Sequence, residues 1–384
     1  MRVPVLTIVN TLPQFYWLTN FLESLMSATI WQACTSATIA KEYRKILNKF
    51  GSETGMPKEF IQWQGHDFSF RGMSSLESSI LSGMGHLLSF TGTDTIPAIE
   101  ALEEYYCADS EKELIGGSVP ATEHSVMCSG EKDGELETFR RLVTETYPNG
   151  IISIVSDTWD LWKVCTEYLP FLKDEIMARN GKVVIRPDSG DPADILCGVK
   201  HIWVTTTSTS YYDENNNEIS EQKAKGVVEL LWDVFGGTIT DTGHKLLDSH
   251  IGVIYGDSIT LERATNICQR LKDKGFASQP VFGIGSYTYQ YNTRDTFGTA
   301  MKATYIEIGV DPRNIFKNPI TDDGTKKSAT GLLCVTKDDS GEYILTDNCK
   351  WGQEMEGELK TVFKDGKLIK EFTLQEIRNN INLK

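Results

Sequence analysis

The stretch KVVIRPDSGDP at residues 182–192 sets the strongest constraint on the fold. Val183, Val184 and Ile185 form an apolar run without the alternation of a half-exposed strand. Such a run reads as a strand buried on both faces, as in a parallel sheet. It stops abruptly at Arg186, Pro187, Asp188, Ser189 and Gly190. In α/β folds ligands sit just past the carboxyl ends of strands, so a cation and a carboxylate stand where chemistry is expected. Pro-Asp-Ser-Gly is also good turn chemistry, and alone the stretch supports both readings.

The pattern recurs along the chain. Residues 60–64 run into HDFSFRG, which carries Phe68 and Arg71, and residues 87–90 run into TGTDT, which carries Asp94. Residues 150–155 end at Ser156-Asp157, residues 252–255 at Gly256-Asp257-Ser258, and residues 280–282 at Gly283-Ile284-Gly285-Ser286. Helices are predicted over 74–88, 97–106, 158–168, 192–200 and 259–274. Strand, polar loop, helix, repeated with irregular spacing, predicts an irregular parallel α/β barrel.

The ends of the chain differ. Residues 3–10 read as a strand, and 14–31 and 35–50 as two helices. Residues 201–226 form a polar excursion, expected as a surface loop or hairpin. After residue 294 the chain reads as mostly β, with strands near 303–308, 332–336 and 343–345. TVFKDGKLIK at 361–370 is a predicted type I′ hairpin, since Asp-Gly favours that turn. Thr373 and Glu376 form a capping box for a last helix. The expected architecture is therefore a barrel over 58–293 and a smaller, mostly β second domain built from the chain ends. That second domain takes strand and helices from 1–57 and a β-rich layer from 294–384.

Charge and cysteine usage exclude several function classes. The net charge is −15 and no Lys/Arg-rich block occurs, which argues against nucleic acid or an anionic membrane as partner. The eight Cys are scattered singly, without CxxC, which argues against zinc or iron–sulfur sites. There is no signal-peptide pattern and no apolar run of membrane length, so a reducing, cytoplasmic setting is expected.

Asp94, Asp157, Asp160, Asp188 and Asp257 all fall in strand-end loops. Each fits a helix N-cap, the commonest job for Asp at such a junction. Capping alone does not explain why all are expected on one barrel face with Arg71, Arg186 and His124. Carboxylates there suit sugar hydroxyls or a hydrated Mg²⁺. The loops at Gly256 and Gly285-Ser286 suit phosphate through backbone N–H groups, although tight turns explain such glycines as often. No Walker A or complete dinucleotide fingerprint is present. His124 sits beside Glu123, between Ser118 and Ser125. A lone His is usually structural, but this polar setting suits a titrating role. Phe68 and Phe70 alternate, as core residues do, and one at a strand end can stack on a flat ring.

HDFSFRG, FTGTDT, SVPATEHS, IVSDTWD, IRPDSGDP, YGDS and FGIGSYTYQYNTRD, in that order, resemble the nicotinamide phosphoribosyltransferase family, the type II phosphoribosyltransferases. The resemblance runs from about residue 10 to the final helix. It implies an irregular α/β barrel, a homodimer with active sites shared across the interface, and transfer of phosphoribosyl from phosphoribosyl pyrophosphate to nicotinamide. By the same resemblance Phe68 stacks on the pyridine ring and Asp94 accepts from the carboxamide NH₂. Arg71 and Arg186 meet carboxamide and phosphate groups, and Ser156 joins the substrate pocket. Asp188, Gly256 and Asp257 hold the ribose. Gly285 and Ser286 bind the 5′-phosphate, and Arg294 and Lys302 reach it across the dimer. His124 is the family's phosphorylatable histidine, coupling ATP hydrolysis to synthesis, with Glu123 and Asp160 behind it. Mg²⁺ is expected mainly on pyrophosphate.

Two departures stand out. Ser286-Tyr287 replaces glycines found in many members. Family members also carry an N-terminal segment before the point matching Met1, which supplies a second stacking aromatic; the expectation is that this chain lacks it. The alternatives are therefore a nicotinate phosphoribosyltransferase, which Asp94 opposes by charge, and a partner-dependent fragment serving as a binding subunit.

Overall fold

The computed structural model describes residues 3–199, 202–204, 210–256, 258–321 and 327–381. The chain divides into two compact units. The larger comprises Ala33–Asn292 and Thr373–Lys384, the smaller Met1–Gln32 and Thr293–Phe372.

The larger unit is built on six parallel strands. They are β1 (Gly65–Asp67), β2 (Gly92–Thr93), β3 (Asn149–Val155), β4 (Asn180–Arg186), β5 (Ile251–Tyr255) and β6 (Val281–Ile284), in the order β2-β1-β6-β5-β4-β3. Register places His66 beside Gly283, Val253 beside Ile185, and Val155 beside Arg186. The two edge strands are joined by residues 117–122. Gly117 N–H donates to Thr91 O and Gly117 O accepts from Thr93 N; Pro120 O accepts from Ser153 N and Thr122 N–H donates to Ser153 O. Lone bridges at Gly92–Gly117 and Ala121–Ser153 thus curl the sheet into an irregular α/β barrel.

Why these strands form is visible in their burial. Ile152, Ile154, Val183, Ile185, Val253, Phe282 and Ile284 are fully buried or nearly so. Each such side chain contributes roughly 1.5–3 kcal/mol by leaving water. The outer faces are covered by helices, including Val227–Phe235 and Leu261–Asp273, whose Val228, Leu231, Ile267 and Leu271 are buried. Helix starts follow cap chemistry: Ser75 Oγ accepts from Ser78 N, Asp191 from Ala193 and Asp194 N, and Thr260 from Arg263 N. Val184 is only half-buried, so β4 is less enclosed than its sequence suggests.

Some expectations are corrected. Residues 3–10 form no strand; their apolar side chains Val5 and Val9 are exposed, and among the described residues no strand pairs with them. The two predicted N-terminal helices are one, Leu18–Thr54, because nothing between residues 31 and 35 breaks a helix. Its buried residues begin at Thr35, while Phe21 and Leu25 are exposed.

In the smaller unit, Leu332–Lys337 pairs antiparallel with Tyr343–Cys349, and Phe363–Lys364 with Lys367–Leu368. Asp365 (φ 48°) and Gly366 (φ 79°) both take left-handed φ, as a type I′ turn requires. In the larger unit the capping box forms: Thr373 N donates to Glu376 Oε2 at 2.9 Å, and Glu376 N to Thr373 Oγ1 at 3.2 Å. Among the described residues no helix is long and apolar enough to cross a membrane.

Candidate active site

Because all six strands are parallel, their carboxyl ends lie at one end of the barrel. Residues just beyond them are Phe68 after β1, Asp94 after β2, Ser156-Asp157 after β3, Asp188 after β4, Gly256 after β5 and Gly285-Ser286 after β6. Sequence reasoning placed these in loops; parallel register gathers them.

One wall is an aromatic–cation pair. Phe68 is fixed by its N–H donating to Ile284 O at 2.9 Å. Arg186 Cζ lies 5.1 Å from the Phe68 ring centroid. Arg186 is buried, and its Nε is without a hydrogen-bond partner. A buried unpaired donor is costly, so this guanidinium suits an incoming acceptor.

Beside it stands Asp94. Oδ1 accepts from His66 Nε2 at 2.8 Å and from Ser118 Oγ at 2.6 Å. Partial burial pushes the Asp94 pKa up, but the His66 hydrogen bond and charge, with Ser118 and Arg186, outweigh it and hold the carboxyl below its ordinary value. It is therefore an ionised acceptor at neutral pH.

Next to Arg186, the turn after β4 is held by a carboxylate. Asp157 Oδ2 accepts from Asp188 N at 2.9 Å and from Ser189 Oγ at 2.5 Å, so one side chain holds the whole turn after β4. Asp157 Oδ1 is buried without a partner. His124 Nε2 lies 3.7 Å from Asp188 Oδ2, and its Nδ1 is 3.2 Å from Thr158 Oγ1. Gly256 packs against Asp188 and Arg186.

The other residues singled out in the sequence fall as follows. Ser156 is buried, and its hydroxyl donates to Ile154 O at 2.7 Å. Arg71 is exposed on the single turn Phe70–Gly72, which packs so tightly on Ser286 that Gly72 has no room for a side chain. Gly285 precedes the short helix Ser286–Tyr289 in open space. Asp160 caps its helix, accepting from Trp162 N and Lys163 N at 3.0 and 3.1 Å. Glu123 stands at the N-cap of His124–Cys128 without a side-chain cap bond. Arg294 and Lys302 belong to the smaller unit, where Arg294 pairs with Asp295 at 3.3 Å. Asp257 lies outside the described residues. Among the described residues no cluster of three or more His, Cys, Asp or Glu side chains is arranged to hold a metal.

Sequence reasoning assigned no role to His66. The signal was there: extended backbone running out of β1 puts residues 66 and 68 on one side, so a Phe68 at the pocket implies His66 beside it.

Comparison with known proteins identifies the family. Residues 63–367 match the model of the nicotinate phosphoribosyltransferase (NAPRTase) family. A nicotinamide phosphoribosyltransferase of Acinetobacter baylyi is 50% identical over 388 residues, covering 99% of this chain and 73% of that protein. One from Mycoplasma pneumoniae is 38% identical over 334 residues, covering 86% and 67%. One from Xanthomonas campestris is 31% identical, covering 97% and 74%. A solved structure of nicotinate-nucleotide pyrophosphorylase from Pyrococcus furiosus superposes with a TM-score of 0.49 at 15% identity, covering 91% of this chain and 69% of that one.

Proposed function

We propose, from the premise that the chain belongs to the nicotinate phosphoribosyltransferase (NAPRTase) family, that it transfers phosphoribosyl from phosphoribosyl pyrophosphate to nicotinamide. The products are nicotinamide mononucleotide and pyrophosphate, a step of NAD salvage. One observation carries the choice of nicotinamide: the Phe68 ring has the buried Arg186 on it and His66 beside it, and His66 holds an ionised Asp94. A carboxamide offers one N–H₂ donor and one carbonyl acceptor, matching a carboxylate and a guanidinium. A nicotinate carboxylate has no donor for Asp94 and is repelled by it.

The chemistry needs little acid–base work. The C1′–O bond breaks with its electron pair leaving on pyrophosphate, and the neutral pyridine nitrogen gives its lone pair to C1′. Positioning and charge stabilisation are the main tasks. Phe68 stacks the ring, Arg71 and Arg186 meet the carboxamide and phosphate groups, and Ser156 belongs to the substrate pocket. Asp188, Gly256 and Asp257 hold the ribose, and Gly285 and Ser286 the 5′-phosphate. Arg294 and Lys302 serve that phosphate in a homodimer with shared sites.

Mg²⁺ fits the donors present. Asp157 Oδ1 is buried and unpartnered, and Asp188 adds a second hard oxygen donor. Two carboxylates plus phosphate oxygens are the usual holders of this ion, which supplies charge neutralisation of the diphosphate. ATP is the coupled phosphoryl donor, with His124 as acceptor and Glu123 and Asp160 around it. A reducing, cytoplasmic setting belongs to the same reading.

The test is direct: purified chain, phosphoribosyl pyrophosphate and Mg²⁺, with nicotinamide or nicotinate in parallel reactions. Formation of nicotinamide mononucleotide at higher kcat/KM than the acid product is expected. Preference for nicotinate, or no product from either, overturns the reading.

A further inference from the structure

We propose that His66 and Ser118 are positioning residues that set the choice between amide and acid, by holding Asp94 as a carboxylate with one occupied and one free oxygen. The proposal rests on the reading that Asp94 meets the substituent of the pyridine ring.

His66 Nε2 and Ser118 Oγ both reach the same oxygen, Asp94 Oδ1, at 2.8 and 2.6 Å. An ionised carboxylate only accepts, so both partners donate: Nε2 carries the ring proton and Ser118 its hydroxyl proton. Among the described residues no donor reaches Oδ2. Oδ1 is thus taken up by the protein and Oδ2 is left for a ligand. A carboxylate held this way cannot rotate to offer a protonated oxygen. Only a protonated carboxyl could donate to a nicotinate carboxylate, so the two clamps remove the one state in which acid would be accepted.

The clamp is rigid by construction. His66 lies in β1, registered with Gly283 on one side and Gly92 on the other. Its side chain is 11% exposed. A Cβ on Gly92 would lie 2.8 Å from His66 Nδ1, so the glycine makes room for the ring. The imidazole centroid is 4.6 Å from that of Phe68, which fixes its tilt. Asp94 N–H donates to Asp67 O at 3.0 Å, tying the backbone after β2 to β1. Ser118 comes from the segment that closes the barrel, one residue after Gly117 bridges to β2. Barrel closure and substrate choice therefore meet at one oxygen atom. Arg186 is the other charged group acting on Asp94, and it favours the ionised form too.

The experiment measures kcat and KM for nicotinamide and nicotinate in the full chain and in His66→Ala, His66→Gln, Ser118→Ala and Asp94→Asn. Losing one donor should raise KM for nicotinamide about three- to tenfold, with a smaller change in kcat, and lower the amide-over-acid ratio by a similar factor. His66→Gln can place an amide N–H toward Oδ1 and should recover most of the loss. Ser118 is exposed, so Ser118→Ala reports on the clamp even if the His66 variants melt early. If Asp94→Asn abolishes the amide preference while Ser118→Ala and folded His66→Ala hold it within about twofold, the clamp is overturned and the reading of the site stands. A loss in His66→Ala that His66→Gln leaves unrecovered, with normal melting, also removes His66 from the role. An unchanged preference in Asp94→Asn instead overturns the underlying reading.

Discussion

Gly256 and Asp188 approach so closely that a methyl group on Gly256 would lie 2.5 Å from Asp188 Oδ1, and 3.0 Å from Arg186 Nε. The ends of β4 and β5 are adjacent in the sheet, and a hydrogen-only side chain lets the backbone come alongside the carboxylate. The backbone φ of Gly256 is not in the left-handed region, so space alone demands glycine there.

Gly256→Ala should therefore fold, because its backbone is ordinary, yet displace Asp188 and Arg186. Displacements near 1 Å at a reacting centre cost on the order of 10²-fold in rate. The expected result is a loss of that size in kcat/KM with little change in melting temperature. Wild-type activity in the variant would show that neither side chain is held where its role needs it.

Asp157 organises the turn that carries Asp188, since its Oδ2 receives both Asp188 N–H and Ser189 Oγ–H. Asp157→Ala removes both hydrogen bonds and leaves a backbone donor unpaired, at about 1–3 kcal/mol. The variant should melt earlier and show a higher KM for phosphoribosyl pyrophosphate, while KM for nicotinamide moves less. Equal increases in both KM values would contradict a role confined to the ribose side.

His124 is partly exposed, between Thr158 at 3.2 Å and Asp188 at 3.7 Å. If it accepts the γ-phosphoryl group of ATP, incubation with [γ-³²P]ATP should label the chain in an acid-labile, base-stable form. His124→Ala should lose the label and the stimulation by ATP while retaining slow transfer. Label that persists in His124→Ala removes the assignment.

Much of this was legible in the sequence, for a physical reason. Buried parallel strands are written as continuous apolar runs, and Val183, Ile185, Ile152 and Ile154 announce themselves. Asp-Gly at 365–366 and the Thr373–Glu376 box are local chemistry, complete within four residues, and both form as read. The helix Leu18–Thr54 reads in the sequence as two elements, one aromatic-rich and one basic, because composition changes along it although nothing interrupts the helix. The clamp on Asp94 was not legible: His66, Asp94 and Ser118 lie 28 and 24 residues apart, on three segments whose meeting is set by barrel closure. Asp157 read as a cap; its partners 31 and 32 residues on exist only through β3–β4 pairing.

Stability should carry its own pH signature from two buried groups of opposite sign. Burial lowers the His86 pKa below its ordinary 6.5, against the pull of Asp67, so folding disfavours its proton and stability falls as pH drops below that value. Its neutral form is fixed by Nε2–H donating to Gly92 O while Nδ1 accepts from the Tyr289 hydroxyl. Glu135 is 1% exposed with Oε1 unpartnered, and burial pushes its carboxyl from 4.5 to about 7, with Lys163 opposing and Asp160 assisting. Between those values the folded chain holds a proton the unfolded chain has lost, so this contribution declines as pH rises through the window and is gone above about 7. Because the two windows overlap, wild type alone cannot separate them. Glu135→Gln keeps the shape without the charge, so it should stabilise the chain by roughly 1–3 kcal/mol above the window and by nothing below it. Melting curves of both chains near pH 8 and near pH 4 decide it: a gain of equal size at both ends would mean that Glu135 is not the titrating group.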